Sequence, residues 1–316
     1  MTSGNSPRIV LVVGPTASGK TALAIALAQR FDGEIVNADS VQLYRRLDIG
    51  SAKPTKEERA AAPHHLVDIA DPDEHFDASR YTAAADSVIS AIAKRGKRVI
   101  VVGGTGLYTR ALVRGLAEGI PSDPALRAAL NERARRGVDE LARMHDELMK
   151  VDPEYAAKIA KSDPIRIVRA LEVFELSGVP ISVHHARHAA EPPRYEALWL
   201  GIDATREQLA PKIAARTRAM LDAGWVDEAR ALLADYPPET KSLRSVGYAE
   251  VCQWVIDGRD DRAALEAEVT QSTLQFVKRQ RTWFRGEPAV QWGSREAFEG
   301  EQWGERIRAF FEERVR

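Results

Sequence analysis

Short apolar, β-branched runs recur along the chain at residues 9–13, 34–38, 65–69, 98–102, 198–202 and 289–292, with stretches of helical periodicity between them. Continuous apolar runs separated by helices are the mark of a mostly parallel sheet covered on both faces. Between the third and fourth runs lies FDASRYTAAADSVISAIAKRGK. There Asp77 suits a helix N-cap, Phe76 a staple onto Tyr81, and Gly96 a stop. The pattern changes after Pro121. Residues 123–188 offer no convincing strand, and LRAALNERARRGVDELARMHDELM reads as amphipathic helix broken at Gly137. Further helices are expected at 207–223, 226–234 and 265–284.

The expected fold is therefore α/β, a mostly parallel sheet flanked by helices with an all-helical insertion. The divisions are 1–121 for the first half of the core, 122–192 for the insertion, and 193–316 for the second half with C-terminal helices. A chain of 316 residues accommodates this, since single cores rarely grow beyond about 250–300 residues. The net charge of -1 gives no global pull toward a polyanion, so any such site must come from local arginine clusters. One cysteine, Cys252, rules out an internal disulfide and a multi-cysteine zinc site, and it reads as a small buried apolar residue. The opening MTSGNSPR lacks an apolar signal core, and no run has the length of a membrane span. A cytoplasmic protein with no membrane association is expected.

Behind the first apolar run stands GPTASGKT, residues Gly14, Pro15, Thr16, Ala17, Ser18, Gly19, Lys20 and Thr21. It fits G-x-x-x-x-G-K-[ST] with the required strand before and helix after, which makes the fold P-loop-type and the loop a candidate nucleotide- or ATP-binding site. Backbone N–H groups from Thr16 to Thr21 are expected to face phosphate oxygens, with Lys20 as a cation and the Thr21 hydroxyl as a ligand for Mg2+. The loop fixes a phosphate, not a reaction. No asparagine is followed by lysine, which speaks against a GTP switch, and the apolar run RVIVV is followed by Gly103-Gly104-Thr105-Gly106 rather than by an acid. The available acid is Asp39, after EIVNA. Loops after adjacent parallel strands share a crevice, so Asp39, Thr105 and the phosphate loop can converge there. Asp39 then suits a general base, with a helix N-cap as the alternative. The glycines after RVIVV make a tight turn or admit a substrate to the backbone.

GPTASGKT, NADSVQLYRRLDIGSAKP, HHLVDI, VVGGTGLY, DPIRIVRALEVFELSG, RSVGY and KRQRTWFR run in order from residue 14 to 285, and together they resemble the tRNA dimethylallyltransferase (tRNA isopentenyltransferase) family. The resemblance implies transfer of a dimethylallyl group from dimethylallyl diphosphate to N6 of the adenosine at tRNA position 37, with Mg2+. It implies Asp39 as base, Thr105 as a hydroxyl at the same amine, Arg216 as a diphosphate contact, and His64 and His65 as structural support. It implies tRNA contacts from Asp39, Ser40, Val41, Gln42 and Thr105; from Arg127, Ile165, Arg166, Ile167, Val168 and Arg169; and from Arg244, Ser245, Val246, Gly247 and Tyr248. Lys278, Arg279, Gln280, Arg281, Trp283 and Arg285 complete that set. A monomer without a protein partner is the family expectation.

On composition alone, KRQRTWFR is equally a phosphate-and-stacking surface or a helix with a solvated basic face. His184, His185 and His188, without an acidic or cysteine partner nearby, read as a solvated loop. The rivals are a small-molecule kinase, an isopentenyltransferase acting on free AMP, and a non-catalytic RNA-binding protein. The helical insertion and the basic C-terminal segment would have no tRNA to hold in the second.

Overall fold

The computed structural model describes residues 7–117 and 119–313; the opening residues read above as lacking a signal core lie outside the described set up to Ser6. The strands are β1 (Ile9–Val13), β2 (Gly33–Asn37), β3 (His64–His65), β4 (Arg98–Gly103), β5 (Ala197–Ile202) and β6 (Val290–Gly293). They form one sheet, all parallel, in the order β3-β2-β4-β1-β5-β6. Side chains alternate across it. Ile9, Leu11 and Val13 of β1 join one core with Val99, Val101 and Trp199, whereas Val10 and Val12 join another with Ile100, Leu198 and Leu200. Both faces are buried, which is why the strands read as unbroken apolar runs.

Helix Lys20–Arg30 covers the second face with Leu23, Ala24, Leu27 and Ala28, at helical spacing. Helix Ala78–Lys94 covers the first with Tyr81, Ala85, Ile89 and Ile92. Its expected cap is present, Asp77 accepting from the Arg80 N–H, and Phe76 and Tyr81 are buried in one cluster.

Of the third apolar run only His65 is strand, in the two-residue β3, because Leu66 and Asp68 take positive φ and turn the chain out of the sheet. Helices Lys56–Ala61, Gly106–Arg114, Tyr248–Ile256, Arg295–Glu299 and Glu301–Glu312 were not expected from the sequence pattern. Glu301–Glu312 buries Ile307 and Phe311 against the same sheet face as Lys20–Arg30. Among the described residues, no helix is long and apolar enough to cross a membrane.

The chain divides into two units, one of residues 1–113 with 194–316 and one of Arg114–Pro193. The chain leaves and re-enters the first unit at neighbouring points, where the Arg194 N–H donates to Val113 O at 2.7 Å. The second unit is helical. Helices Pro124–Ala134, Pro153–Ala156 and Pro164–Ser177 begin alike, with an aspartate N-cap (Asp123, Asp152, Asp163) followed by proline. Gly137, at φ 135°, separates Pro124–Ala134 from Val138–Val151, as the break in the apolar pattern implies. Buried Glu172 accepts from Arg127, Arg169 and the Asp123 N–H, at 2.7–3.0 Å. Burial alone would raise its pKa, but the Arg169 and Arg127 guanidiniums hold it below the usual carboxylate range. His184, His185 and His188 lie on helix Ile181–Ala189 rather than in a loop, and His188 Nδ1 is 3.3 Å from Glu191. Among the described residues no three His, Cys, Asp or Glu side chains gather as a metal site.

At the end of β4 a Cβ on Gly103 would lie 2.2 Å from Ala38 O and 2.4 Å from Ala38 C. Neither is a flexible side-chain end. Gly103→Ala should therefore lower the unfolding free energy in urea by about 1–3 kcal/mol or more.

Candidate active site

The carboxyl ends of β1, β4 and β2 adjoin in the sheet, so the turns that follow them meet in one crevice. After β1, the backbone takes φ 142° at Gly14, 61° at Ala17 and 91° at Gly19. This winding presents the start of helix Lys20–Arg30, where no side chain caps the N-terminus. The first N–H groups and the positive end of the helix dipole are left for an anion. One N–H expected to face phosphate does not: Thr16 N donates to Gln280 Oε1 at 2.9 Å.

Lys20 donates through Nζ to Pro15 O at 2.6 Å. Desolvation lowers its pKa to about 8; the Asp39 charge opposes that shift and the Arg216 charge adds to it. Arg216, on helix Arg206–Asp222, crosses the crevice to within 3.4 Å of Thr16 Oγ1, and its pKa is also pushed down by burial. Lys20 and Arg216 thus stand beside Asp39 in a poorly hydrated space whose wall also carries Lys212 and Glu58, an arrangement that favours a multiply charged anion.

After β2, Asp39 Oδ1 accepts from the N–H groups of Val41 and Gln42 at 2.9 and 3.3 Å. The capping alternative is thus realised by one oxygen, at a turn rather than at a helix. Thr105, after β4, binds Ser40 twice: the Ser40 N–H donates to Thr105 Oγ1 at 3.0 Å, and that hydroxyl reaches Ser40 Oγ at 3.2 Å. The glycines beside Thr105 are closely packed. Added Cβ atoms would lie 2.2 Å from Gln280 Nε2 at Gly104 and 2.0 Å from Trp283 at Gly106.

Two adjoining cavities that share wall residues occupy the crevice. One, of about 390 Å³, is polar and lined by Lys20, Thr21, Asn37, Asp39, His64 and Arg216, among others. The other, of about 290 Å³, is lined by Val41, Ile213, Met220, Trp225, Val246 and Phe276, together with Thr105 and Arg244. Thr16, Ala17, Asp39, Ser51 and Arg216 line both. Trp225 lies against Gly50 and Gly247, where Cβ atoms would fall 2.1 and 2.7 Å from the ring. Glu228 ties down the same loop, accepting from Asp48, Ile49 and Gly50 N–H groups and from the Tyr248 hydroxyl.

Sequence reading missed Lys212, Trp225 and Glu228. Lys212 lines the polar cavity one helical turn from Arg216. The i, i+4 spacing of these two cations was its only signal.

The segments tied to RNA by resemblance divide by face. Asp39, Ser40 and Val41 line the second cavity, as do Arg244, Ser245, Val246 and Gly247. Gln42 donates instead to Ser51 O and Ala52 O, and Tyr248 is buried on Glu228. Lys278, Arg281 and Arg285 line an outer groove with Arg206, Arg279 lies over Phe276, and Arg110 stacks 4.5 Å from the Trp283 ring centre. In the helical unit Ile165 is 79% exposed and Arg166 is exposed beside Asp163, while Ile167 and Val168 are core and Arg127 and Arg169 are held on Glu172. His65 Nε2 is 2.6 Å from Glu34 and His64 Nδ1 is 2.8 Å from Ala62 O, bonds that tie β3 locally.

The lowered Lys20 pKa gives a pH signature for anion binding. An anion favours the ammonium form, so affinity for an unreactive alkyl diphosphate, measured by calorimetry, should be highest below pH 8. Above that value it should fall by up to about tenfold per pH unit, until the pKa of the complex is reached. Lys20→Met should bind weakly and without that slope.

The family model described as IPP transferase matches residues 42–287. The tRNA dimethylallyltransferase 1 of Pelobacter propionicus is 45% identical over 293 residues, 92% of this chain and 94% of that protein. The tRNA dimethylallyltransferase of Anaeromyxobacter sp. (strain K) is 49% identical over 287 residues, covering 90% and 92%. Among solved structures, the tRNA isopentenylpyrophosphate transferase of Bacillus halodurans superposes with a TM-score of 0.71 at 33% identity, covering 97% of each chain. A eukaryotic dimethylallyltransferase acting on tRNA shares the fold, with a TM-score of 0.79 at 24% identity over 98% of this chain and 81% of that one. This chain is a member of the IPP transferase family, to which its close relatives named tRNA dimethylallyltransferase give an enzymatic character.

Proposed function

We propose that the protein transfers a dimethylallyl group from dimethylallyl diphosphate to N6 of the adenosine at tRNA position 37. One observation carries the reading: the polar and the apolar-walled cavity meet at Asp39 and Arg216, which line both. A diphosphate in the first would place its allylic carbon at that junction, and an adenine in the second would bring its amine to the same point.

The step breaks the allylic C–O bond and forms a C–N bond. Electrons leave with the diphosphate, whose growing charge is met by the N–H groups at the start of helix Lys20–Arg30, by Lys20 and by Arg216. The adenine amine is a weak nucleophile because its lone pair is delocalised, and it loses its proton to Asp39 as the new bond forms. Asp39 Oδ1 is fixed by two N–H groups, and Oδ2 is the oxygen assigned to that proton. No acid is needed to activate water, in keeping with the glycine turn after β4.

The donor set around Thr21 fits magnesium that arrives with the substrate, since Mg2+ keeps several waters and takes few protein ligands beside phosphate oxygens. The Thr21 hydroxyl would hold it, and it would supply charge neutralisation for the departing diphosphate. On the RNA side, Arg244 at the second cavity and the groove of Lys278, Arg281 and Arg285 supply cations for backbone phosphates. Ile165 and Arg166 offer an apolar and a basic contact on the helical unit. Turning the adenosine out of its stack costs a few kcal/mol, least in a loop. The proposed working unit is a monomer, acting in the cytoplasm on tRNA.

The test is incubation with labelled dimethylallyl diphosphate, Mg2+ and unmodified tRNA, followed by digestion. Labelled N6-dimethylallyladenosine is expected. ATP turnover on a small acceptor with no label in RNA would overturn the proposal. Asp39→Asn should slow the single-turnover step by about 10²–10⁴-fold with tRNA affinity kept.

A further inference from the structure

Gln280 stands on helix Arg262–Arg285, in the segment that resemblance ties to RNA, yet it is only 5% exposed. Its neighbours Lys278, Arg281 and Arg285 line the outer groove. The Gln280 amide points the other way and makes two long-range bonds. Oε1 accepts from the Thr16 N–H at 2.9 Å, and Nε2 donates to Gly104 O at 3.1 Å. Room for it exists because residue 104 has no side chain, a Cβ there falling 2.2 Å from Nε2. A primary amide carries a donor and an acceptor on one planar group, which both bonds require together.

We propose that Gln280 is a positioning residue for the transfer, fixing the spacing between the phosphate loop and the Gly104-Thr105 turn rather than contacting RNA. The proposal rests on the transferase reading. The phosphate loop holds the leaving group, while Thr105 holds Ser40 next to Asp39. Leaving group and base therefore belong to separate turns, after β1 and after β4 and β2. Adjacent strands pin the roots of these turns but not their tips. Gln280 bridges the tips, and an error of about 1 Å between reacting groups costs up to about 100-fold in rate.

Gln280→Ala and the near-isosteric Gln280→Glu test the proposal in the full-length protein, with the wild-type enzyme assayed in parallel. Wild-type formation of N6-dimethylallyladenosine checks the transferase reading separately. For Gln280→Ala, kcat at saturating RNA should fall by about 10- to 100-fold and the KM for dimethylallyl diphosphate should rise, while the tRNA Kd from filter binding stays within about twofold. Gln280→Glu keeps the acceptor for Thr16 but loses the donor to Gly104 O, and its carboxyl regains that donor when protonated. Its kcat relative to wild type, measured at saturating RNA, should therefore climb as the pH is lowered, a condition under which a weakened RNA contact no longer limits the rate. This variant carries the test if Gln280→Ala does not fold. A tRNA Kd raised about tenfold with kcat and the diphosphate KM unchanged, or a pH-independent ratio for Gln280→Glu, would overturn the proposal.

Discussion

Burial of charge is the constraint around which this crevice is arranged. Lys20 and Arg216 lose hydration in a cavity lined by the carboxylates Asp39 and Glu58, and desolvation acts against the charged form of both cations. Such an arrangement persists only if rigid neighbours enforce it. The parallel sheet supplies them, because its strands are covered on both faces and end together at one edge. The turns after β1, β2 and β4 then have little freedom, and helix Arg206–Asp222 brings Arg216 across from the far side. A departing diphosphate would resolve the unfavourable charge, so binding and leaving-group stabilisation draw on the same interaction.

Much of the architecture was legible in the sequence. Strands buried on both faces leave unbroken apolar runs, and the phosphate loop with its flanking strand and helix is a local pattern. Asp77 and Gly137 announced a cap and a break through properties of single residues. Of the short C-terminal helices, Arg295–Glu299 offers too few residues to show a period, whereas Glu301–Glu312 carries Trp303, Ile307, Phe310 and Phe311 at helical spacing, a signal present in the sequence and passed over. The third strand was overestimated because the turn at Leu66 and Asp68 depends on backbone conformations that their residue types do not advertise.

The site was legible in its contiguous parts and opaque where it depends on distant pairs. A segment named as a whole cannot separate its faces, and the helix decides which side chain goes where. In DPIRIVR, Ile165 and Arg166 are exposed while Ile167 and Val168 are core. Gln280 sits among arginines in KRQRTWFR, and only its partners Thr16 and Gly104, far away in the chain, reveal its orientation. Glu228 is equally silent in sequence, because three of its four hydrogen-bond donors are backbone N–H groups of a loop far from it.

The glycines of the conspicuous motifs carry a further consequence. Gly103 adjoins the Ala38 backbone, Gly104 the Gln280 amide, Gly106 the Trp283 ring, and Gly50 and Gly247 the Trp225 ring. These pairings are internal, so the motifs are imprints of how the molecule closes on itself, even where Gly50, Gly103 and Gly247 also line the cavities. A descendant chain that had abandoned the chemistry and kept the shape would still need every one of them. Such glycines vouch for shared architecture; evidence of a working catalyst has to come from the side chains that remain open to the crevice.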